Sequence, residues 1–470
     1  MKFLASVASL LLAAVSAVQA VSVSGPRLLA VLDDLADKDT YSTFLGDLEG
    51  RGFSVSYETA KSSSVSLFRL GERAYDHVIF FPTKAKGLGP NLTPQLLVQF
   101  LNSEGNILVA LSSANTASSS IVSLLNELDI ALPTDRTGLV VDHFNYDTSA
   151  AADLHDVLLL PVPAAKSGVR SLFDTPESAS GEQLLAFPRG VGHVLGDSPY
   201  LAPILSAPRT AYSYNPNEQA DAVSDELFAS GSQLKLVSGL QARNSARFAL
   251  LGSAELLSNA WFDAKVKLPT AGAKSVPTYN REFARRLTGW AFQETAVLRV
   301  NWIEHHLNEA GASNESNPEI YRVKNDVTYS VSLSEHNWDK WTPFTVPADD
   351  ELQIEFSMLS PFHRLPLHVV PEQASDDANV YTASFTLPDQ HGIFNFLIDY
   401  KRPLLTYLDE KITVSVRHMA HDEWPRSYVI SGAWPWITGI GATVTGWLAF
   451  CALWMYSKPT GQVAAGKKTQ

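Results

Sequence analysis

The chain has 470 residues and a net charge of −13, from 36 Lys and Arg against 49 Asp and Glu. Such an acidic balance, with no basic cluster in the body, excludes nucleic acid as a natural partner, and a single cysteine, Cys451, excludes a disulfide framework. Hydrophobic residues at 45% and charged residues at 18% describe a packed globular body, and the length calls for two or three domains.

Residues 1–20 read as a signal peptide. Lys2 gives a positive start, 3–15 is an apolar run too short to cross a bilayer, and Val18-Gln19-Ala20 supplies small residues before a cut at Val21. Residues 21–265 read as an α/β domain facing the lumen, in one or two lobes. RLLAVL (27–32), FSVSY (53–57), HVIFF (77–81) and NILVAL (106–111) are strand-like, with helical spacing at 40–48 and 94–101. Alternating strands and helices predict an open, mostly parallel sheet covered on both faces. LHDVLLLP, QLKLVSG and ARFALLGS continue the strand pattern.

Asp37-Lys38-Asp39 has the D-x-D spacing with which sugar-nucleotide transferases hold a divalent metal. It also sits just before a helix, where carboxylates cap exposed amides, and no further ligand set accompanies it. Asn91-Leu92-Thr93 and Asn314-Glu315-Ser316 are acceptor triplets for N-glycosylation, with Pro94 making Asn91 the poorer one.

Residues 266–294 read as a Pro- and Gly-rich linker followed by a helix at 281–290. Across 295–420 the pattern changes to short alternating runs, AVLRVNW, VTYSVSL, ELQIEFSML, YTASFTL, GIFNFLIDY and KITVSVRH, which predict an antiparallel β-sandwich. His305 and His306 are adjacent and so point to opposite faces of a strand. His418, with His421, Asp422 and Glu423 of a juxtamembrane stretch at 421–432, reads as one of several solvated side chains above the membrane. No thiol nucleophile is available outside the apolar tail, and G-x-S-x-G is missing. No cofactor is called for.

Residues 433–456 form an uncharged apolar stretch with Trp434 and Trp436 at one end and Trp454 and Tyr456 at the other, the pattern of a membrane helix with aromatic belts. Gly439, Ala442, Thr443, Gly446 and Ala449 share one face of it and suit close packing against another helix. The tail, 457–470, carries Lys458, Lys467 and Lys468 and no acid, which keeps it cytosolic and makes the chain a single-pass type I protein. Gly461 to Lys467 matches G-x-x-x-x-G-K, but Lys468 and the chain end follow where a phosphate loop needs Ser or Thr and a helix. Lys467 and Lys468 instead match a dilysine retrieval signal of the endoplasmic reticulum.

Several segments in order resemble one family: NILVALSS (106–113), VVDHFNYD (140–147), FPRGVG (187–192), LQARNSARF (240–248), WTPF (341–344), DDELQIEF (349–356), SPFHR (360–364) and LPDQHGIFNFLIDYKR (387–402). The chain is similar over nearly its whole length to the 48-kDa subunit family of oligosaccharyltransferase, in fungi the wheat-germ-agglutinin-binding-protein type. Ser360 and Pro403-Leu404 depart from that family's usual Asp and glycine-containing turn. The resemblance implies a noncatalytic subunit of the complex that moves a preassembled oligosaccharide from dolichyl diphosphate to Asn in Asn-x-Ser/Thr. It further implies residence in the endoplasmic-reticulum membrane and its lipid. The implied partners are a catalytic multi-spanning subunit, whose Trp-Trp-Asp signature is absent here, a ribophorin II type subunit and a small defender-against-death type subunit. Two rival readings remain open at this point. One is an autonomous glycosyltransferase using Asp37 and Asp39; the other is a lumenal glycan-binding module with Trp338 and Trp341 stacking on sugar.

Overall fold

Three apolar runs near the N-terminus become strands buried on both faces, β1 (Arg27–Leu32), β3 (His77–Phe80) and β4 (Asn106–Ala110), while β2 (Ser54–Thr59), at the sheet edge, has no fully buried residue. The computed structural model describes residues 22–162, 172–173, 183–215, 228–270, 274–308, 316–424 and 431–458. The signal peptide, Asn314, Lys467 and Lys468 lie outside the described residues.

Three helices lie among or after these strands: α1 (Ser42–Gly50), α2 (Pro94–Asn102) and α3 (Ser119–Glu127). Thr93 caps α2 by accepting from Leu96 N, with Pro94 in the first turn where its missing N–H costs nothing, and Ser118 caps α3 from Ile121 N. Leu97 and Phe100 of α2 and Leu124 and Leu125 of α3 bury their side chains against β3, β4 and β7 (Arg247–Leu251) in one core.

β1 pairs in parallel with β2 and β3, β3 with β4, and β4 with β7. β6 (Lys235–Gln241) and β5 (Leu201–Ser206) then add antiparallel strands, giving the order β5-β6-β7-β4-β3-β1-β2. The sheet is therefore mostly parallel, as the alternation predicts. One run departs from the expectation. The apolar strand in LHDVLLLP, Val157–Pro161, pairs antiparallel with Leu184–Pro188 in a separate ribbon, burying Val157 and Leu159 with Ala186, Trp261 and Val266. An apolar run specifies burial on both faces but not which sheet receives it.

The Pro- and Gly-rich stretch leaves Lys265–Val266 and returns through Val276–Pro277, which pairs with it. It leads into α4 (Asn280–Ala291), whose Phe283, Leu287 and Trp290 recur at helical spacing and are fully buried.

The rest of this unit is an antiparallel sandwich. Its first sheet holds β8 (Thr295–Leu307), β10 (Asp326–Asn337), β11 (Lys340–Pro343), β14 (His368–Val369) and β15 (Asn379–Thr386). Its second holds β9 (Ile320–Arg322), β12 (Gln353–Ser357), β13 (Pro361–Pro366), β16 (Gly392–Tyr400) and β17 (Leu408–Arg417). Alternate residues Val327, Tyr329, Val331 and Leu333 point inward from β10, and Phe394, Phe396 and Ile398 answer from β16. Tyr329 stacks on Phe396 at 5.3 Å and Phe356 on Phe394 at 4.7 Å. His305 is buried against Phe396 at 5.0 Å, while His306 is only partly covered, as opposite faces require.

Residues 417–470 form a second unit. Its helix α5 (Trp434–Tyr456) has 23 residues and is, among the described residues, the one helix long and apolar enough to cross a membrane.

Candidate functional site: the domain junction, the sandwich groove and the span

Asp37 lies in a short 3-10 helix (Leu35–Tyr41) capped by Asp34. Asp34 Oδ1 accepts from Ala36 N, and Asp37 Oδ2 accepts from Asp34 N at 3.2 Å. Asp37 is thus half of a capping box, and Asp39 is exposed beyond it. Among the described residues no group of three or more His, Cys, Asp or Glu side chains is arranged to hold a metal.

Open α/β sheets bind ligands beyond the C-terminal ends of strands where the strand order reverses, which here is between β1 and β3. The chain fills that place itself. Tyr41, at the end of the turn after β1, lies 4.5 Å from the ring of Phe81, which follows β3, and Phe44 meets the same ring edge-on at 6.4 Å. Asp33 Oδ1 closes the crevice by accepting from Lys84 N at 3.0 Å. The neighbouring void lined by Phe81, Leu111 and Ser118 holds about 20 Å³, room for roughly one water.

The strongest polar constellation is the junction between the α/β region and the sandwich. Arg247 opens β7, and its guanidinium is completely buried. Its Nε donates to Gln241 Oε1 at 2.8 Å, Nη1 to the carbonyls of Trp290 (2.6 Å) and Thr295 (2.8 Å), and Nη2 to Ala296 O (2.6 Å) and Thr406 Oγ1 (3.2 Å). Five bonds in one plane tie β6, the end of α4, β8 and the loop before β17 to one side chain. Burial pulls the Arg247 pKa down to about 9, opposed by the Glu335 carboxylate, so the group stays charged at neutral pH. Beside it Trp290 Nε1 donates to Leu404 O at 2.8 Å.

A second buried pair lies close by. Arg51 Nη1 meets Glu294 Oε2 at 2.6 Å, and Arg51 Nη2 donates to Thr288 Oγ1 at 2.8 Å. Burial pushes Glu294 up to about 7 against the pull of Arg51. The Glu294 carbonyl accepts from Trp338 N at 2.7 Å. Trp338 lies under the Arg285 guanidinium at 4.4 Å, and Trp341 lies under Arg299 at 3.9 Å, so both indoles already carry an arginine.

On the sandwich, three of the family-like segments converge. Asp350 and Glu355 from DDELQIEF, Arg364 from SPFHR, and Asp399, Tyr400 and Arg402 from FLIDYKR line a groove of about 300 Å³. Arg402 Nε donates to Asp350 Oδ2 at 2.6 Å and Tyr400 Oη to the same oxygen at 2.8 Å, and these bonds hold the Asp350 carboxyl below its usual range. Arg364 Nε pairs with Glu355 across the β12–β13 ladder at 2.7 Å. These charges are spent on one another. The groove is polar and lined by paired charges, a surface suited to recognising a protein more than to acid–base chemistry.

Asn91 is partly covered, and its Nδ2 donates to Val65 O at 2.7 Å and Ser63 O at 3.2 Å. Gly439, Ala442, Thr443, Gly446 and Ala449 are all exposed on α5, and Thr443 Oγ1 donates to Gly439 O at 2.8 Å. Sequence reading did not single out Arg247, Arg51, Glu294 or Asp350. For Arg247 a signal existed, an arginine directly beside the apolar FALL of its strand.

Comparison with known proteins turns this geometry into an identity. Residues 19–294 match the model of the OST48 N-terminal domain, and residues 305–458 match that of the OST48 middle domain. The chain belongs to the OST48 family. It is 34% identical over 446 residues to the Schizosaccharomyces pombe dolichyl-diphosphooligosaccharide–protein glycosyltransferase subunit wbp1, covering 94% of each chain. It is 31% identical to the Danio rerio 48 kDa subunit of the same name, covering 95% of each, and 31% identical to Saccharomyces cerevisiae subunit WBP1, covering 93% of this chain and 92% of that one. The α/β region and Arg247 fall in the part matching the OST48 N-terminal domain, while the groove and the span fall in the OST48 middle-domain match.

Proposed function

We propose that this OST48-family chain is a noncatalytic, membrane-anchored subunit of oligosaccharyltransferase, serving transfer of a preassembled oligosaccharide from dolichyl diphosphate to Asn in Asn-x-Ser/Thr. The observation that carries the reading is end-to-end similarity to relatives named as subunits of that glycosyltransferase. The α/β switch point closed by Tyr41 and Phe81, and an Asp37 engaged in capping, agree with a role in assembly.

The body sits in the lumen of the endoplasmic reticulum, α5 crosses the membrane, and Lys467 and Lys468 retrieve the chain from later compartments. Its partners are the catalytic multi-spanning subunit, a ribophorin II type subunit and a small defender-against-death type subunit. The small-residue face of α5 packs against a partner helix, and the Asp350–Arg402 groove presents the sandwich to a lumenal partner.

Affinity purification of the full chain in mild detergent tests this. A multi-spanning subunit is expected to co-purify, and depletion is expected to lower glycan occupancy on reporter proteins. A solitary monomer together with unchanged occupancy would refute it. The rival transferase reading predicts lost glycosylation in the Asp37→Ala, Asp39→Ala double variant, where the subunit reading expects none.

A further inference from the structure

The sandwich has two ends of different character. At one end Thr295, Asn337, Tyr400 and Leu408 meet the α/β region through Arg247, Trp290 and Thr406. At the other, β8 finishes at Leu307 opposite Val327, β15 finishes at Thr386 opposite Asp326, and β17 brings Val416 opposite Gly392. The chain therefore leaves for α5 from the end opposite the α/β region.

That exit end is also where the second sheet leaves apolar side chains uncovered. Leu359, on the turn between β12 and β13, is 97% exposed; Ile393 is 63%, Ile320 59% and Phe362 36% exposed. Ser357 pairs with Asn395 and Ile393 with Ser415, while Ser415 N donates to Glu319 O, so these residues share one edge. Exposed hydrophobics scattered singly are ordinary; a cluster at one edge marks a surface that is covered. The turn is built rather than loose. Phe362 meets Phe394 edge-on at 5.4 Å, and Gly392, at φ +149°, leaves the space in which Met358 Sδ lies, 2.7 Å from where a Cβ would stand. Residues 358–362 carry no charge, and on adjoining connections Lys324 is paired with Asp389 at 2.9 Å.

We propose that this edge, with Leu359 at its tip, is a lipid-facing foot that enters the headgroup layer of the membrane crossed by α5. The inference rests on reading α5 as a span. What selects lipid as the occupant is continuity: only residues 418–433 separate β17 from α5, a tether of at most about 60 Å when fully extended. An exposed, uncharged apolar turn at the tethered end presents side chains of the kind that interfacial insertion buries.

The test places one thiol at a time in the full chain. Leu359→Cys in a Cys451→Ser background is labelled with the environment-sensitive fluorophore NBD, and the chain is reconstituted into phosphatidylcholine vesicles. Emission is expected to shift to the blue, to be quenched by doxyl-labelled lipids and to be spared by aqueous iodide. Leu70→Cys, at a position 99% exposed in the α/β region, is expected to report water. Water-like emission at position 359 overturns the proposal. So does blue-shifted emission indifferent to doxyl lipids, because polypeptide would then be what covers the tip. Release of the chain from vesicles by alkaline carbonate would instead refute the span and the foot together, which separates the two failures.

Discussion

Arg247 carries a buried charge whose partners are mostly carbonyl oxygens, so its removal takes a charged donor from the end of α4 and the start of β8 at once. Replacing it with methionine keeps much of the volume but takes the guanidinium donors from the carbonyls of Trp290, Thr295 and Ala296, of which Trp290 O keeps Gln293 N and Ala296 O keeps Thr406 N. A loss of about 3–5 kcal/mol is expected, read as an earlier denaturant midpoint of the full chain in detergent. Arg247→Lys is expected to recover little of this, because an ammonium cannot present five donors in a plane. A smaller residue-scale effect concerns Asn91. Its Nδ2, the atom a glycan would modify, donates to two backbone carbonyls, and Pro94 directly follows the triplet. Glycosidase digestion of the microsomal chain should therefore give a shift that Asn314→Gln abolishes and Asn91→Gln leaves unchanged.

At the scale of elements, α5 is the one whose exposed surface most needs a partner. Thr443 returns its hydroxyl to Gly439 O, so the face running from Gly439 to Ala449 is smooth and free of side-chain bulk. Gly446→Leu is expected to cut co-purification of partner subunits roughly tenfold, the equivalent of one or two kcal/mol for a packed membrane-helix contact, while Leu448→Ala on the opposite face leaves it intact. Membrane insertion, scored by carbonate resistance, should be unaffected in both. Elements with strong local periodicity were legible in the sequence: the inward Val327, Tyr329, Val331 and Leu333, the strand–helix alternation of residues 27–110, and α5 itself. Val157–Pro161 was legible as a strand but not as part of a separate ribbon, since its partner Leu184–Pro188 is distant in sequence and no local pattern links the two. The junction around Arg247 and the groove around Asp350 escaped for the same reason. Each gathers residues 50 or more positions apart, as Asp350 and Arg402 show, and no local pattern encodes that meeting.

For the whole folded body, buried titratable groups set how stability responds to acid. His77 and His193 are completely enclosed, and burial lowers their pKa values to about 4 and about 3; His305, packed on Phe396 and Tyr321, is lowered to about 4. In the unfolded chain each titrates near 6.5. A folded pKa below the unfolded one means that the unfolded chain binds the proton first. The stability these residues supply is therefore complete above pH 6.5 and is lost as pH falls toward 4, by roughly 3 kcal/mol for a fully buried histidine. Glu294 acts in the opposite sense. Its folded pKa of about 7 lies above the ordinary carboxyl value, so its contribution is complete below about pH 4.5 and fades as pH rises toward 7. His336 is lowered by burial as well, so four groups against one make the histidines dominate. The denaturant midpoint of the full chain in detergent is expected to fall between pH 7 and pH 5. His77 accepts from Asn106 Nδ2 at Nδ1, a bond that protonation would break, so His77→Gln should flatten the fall even if it lowers stability at pH 7. A midpoint that rises on acidification would show that Glu294, held 2.6 Å from Arg51, outweighs the enclosed imidazoles and that the junction governs the acid response.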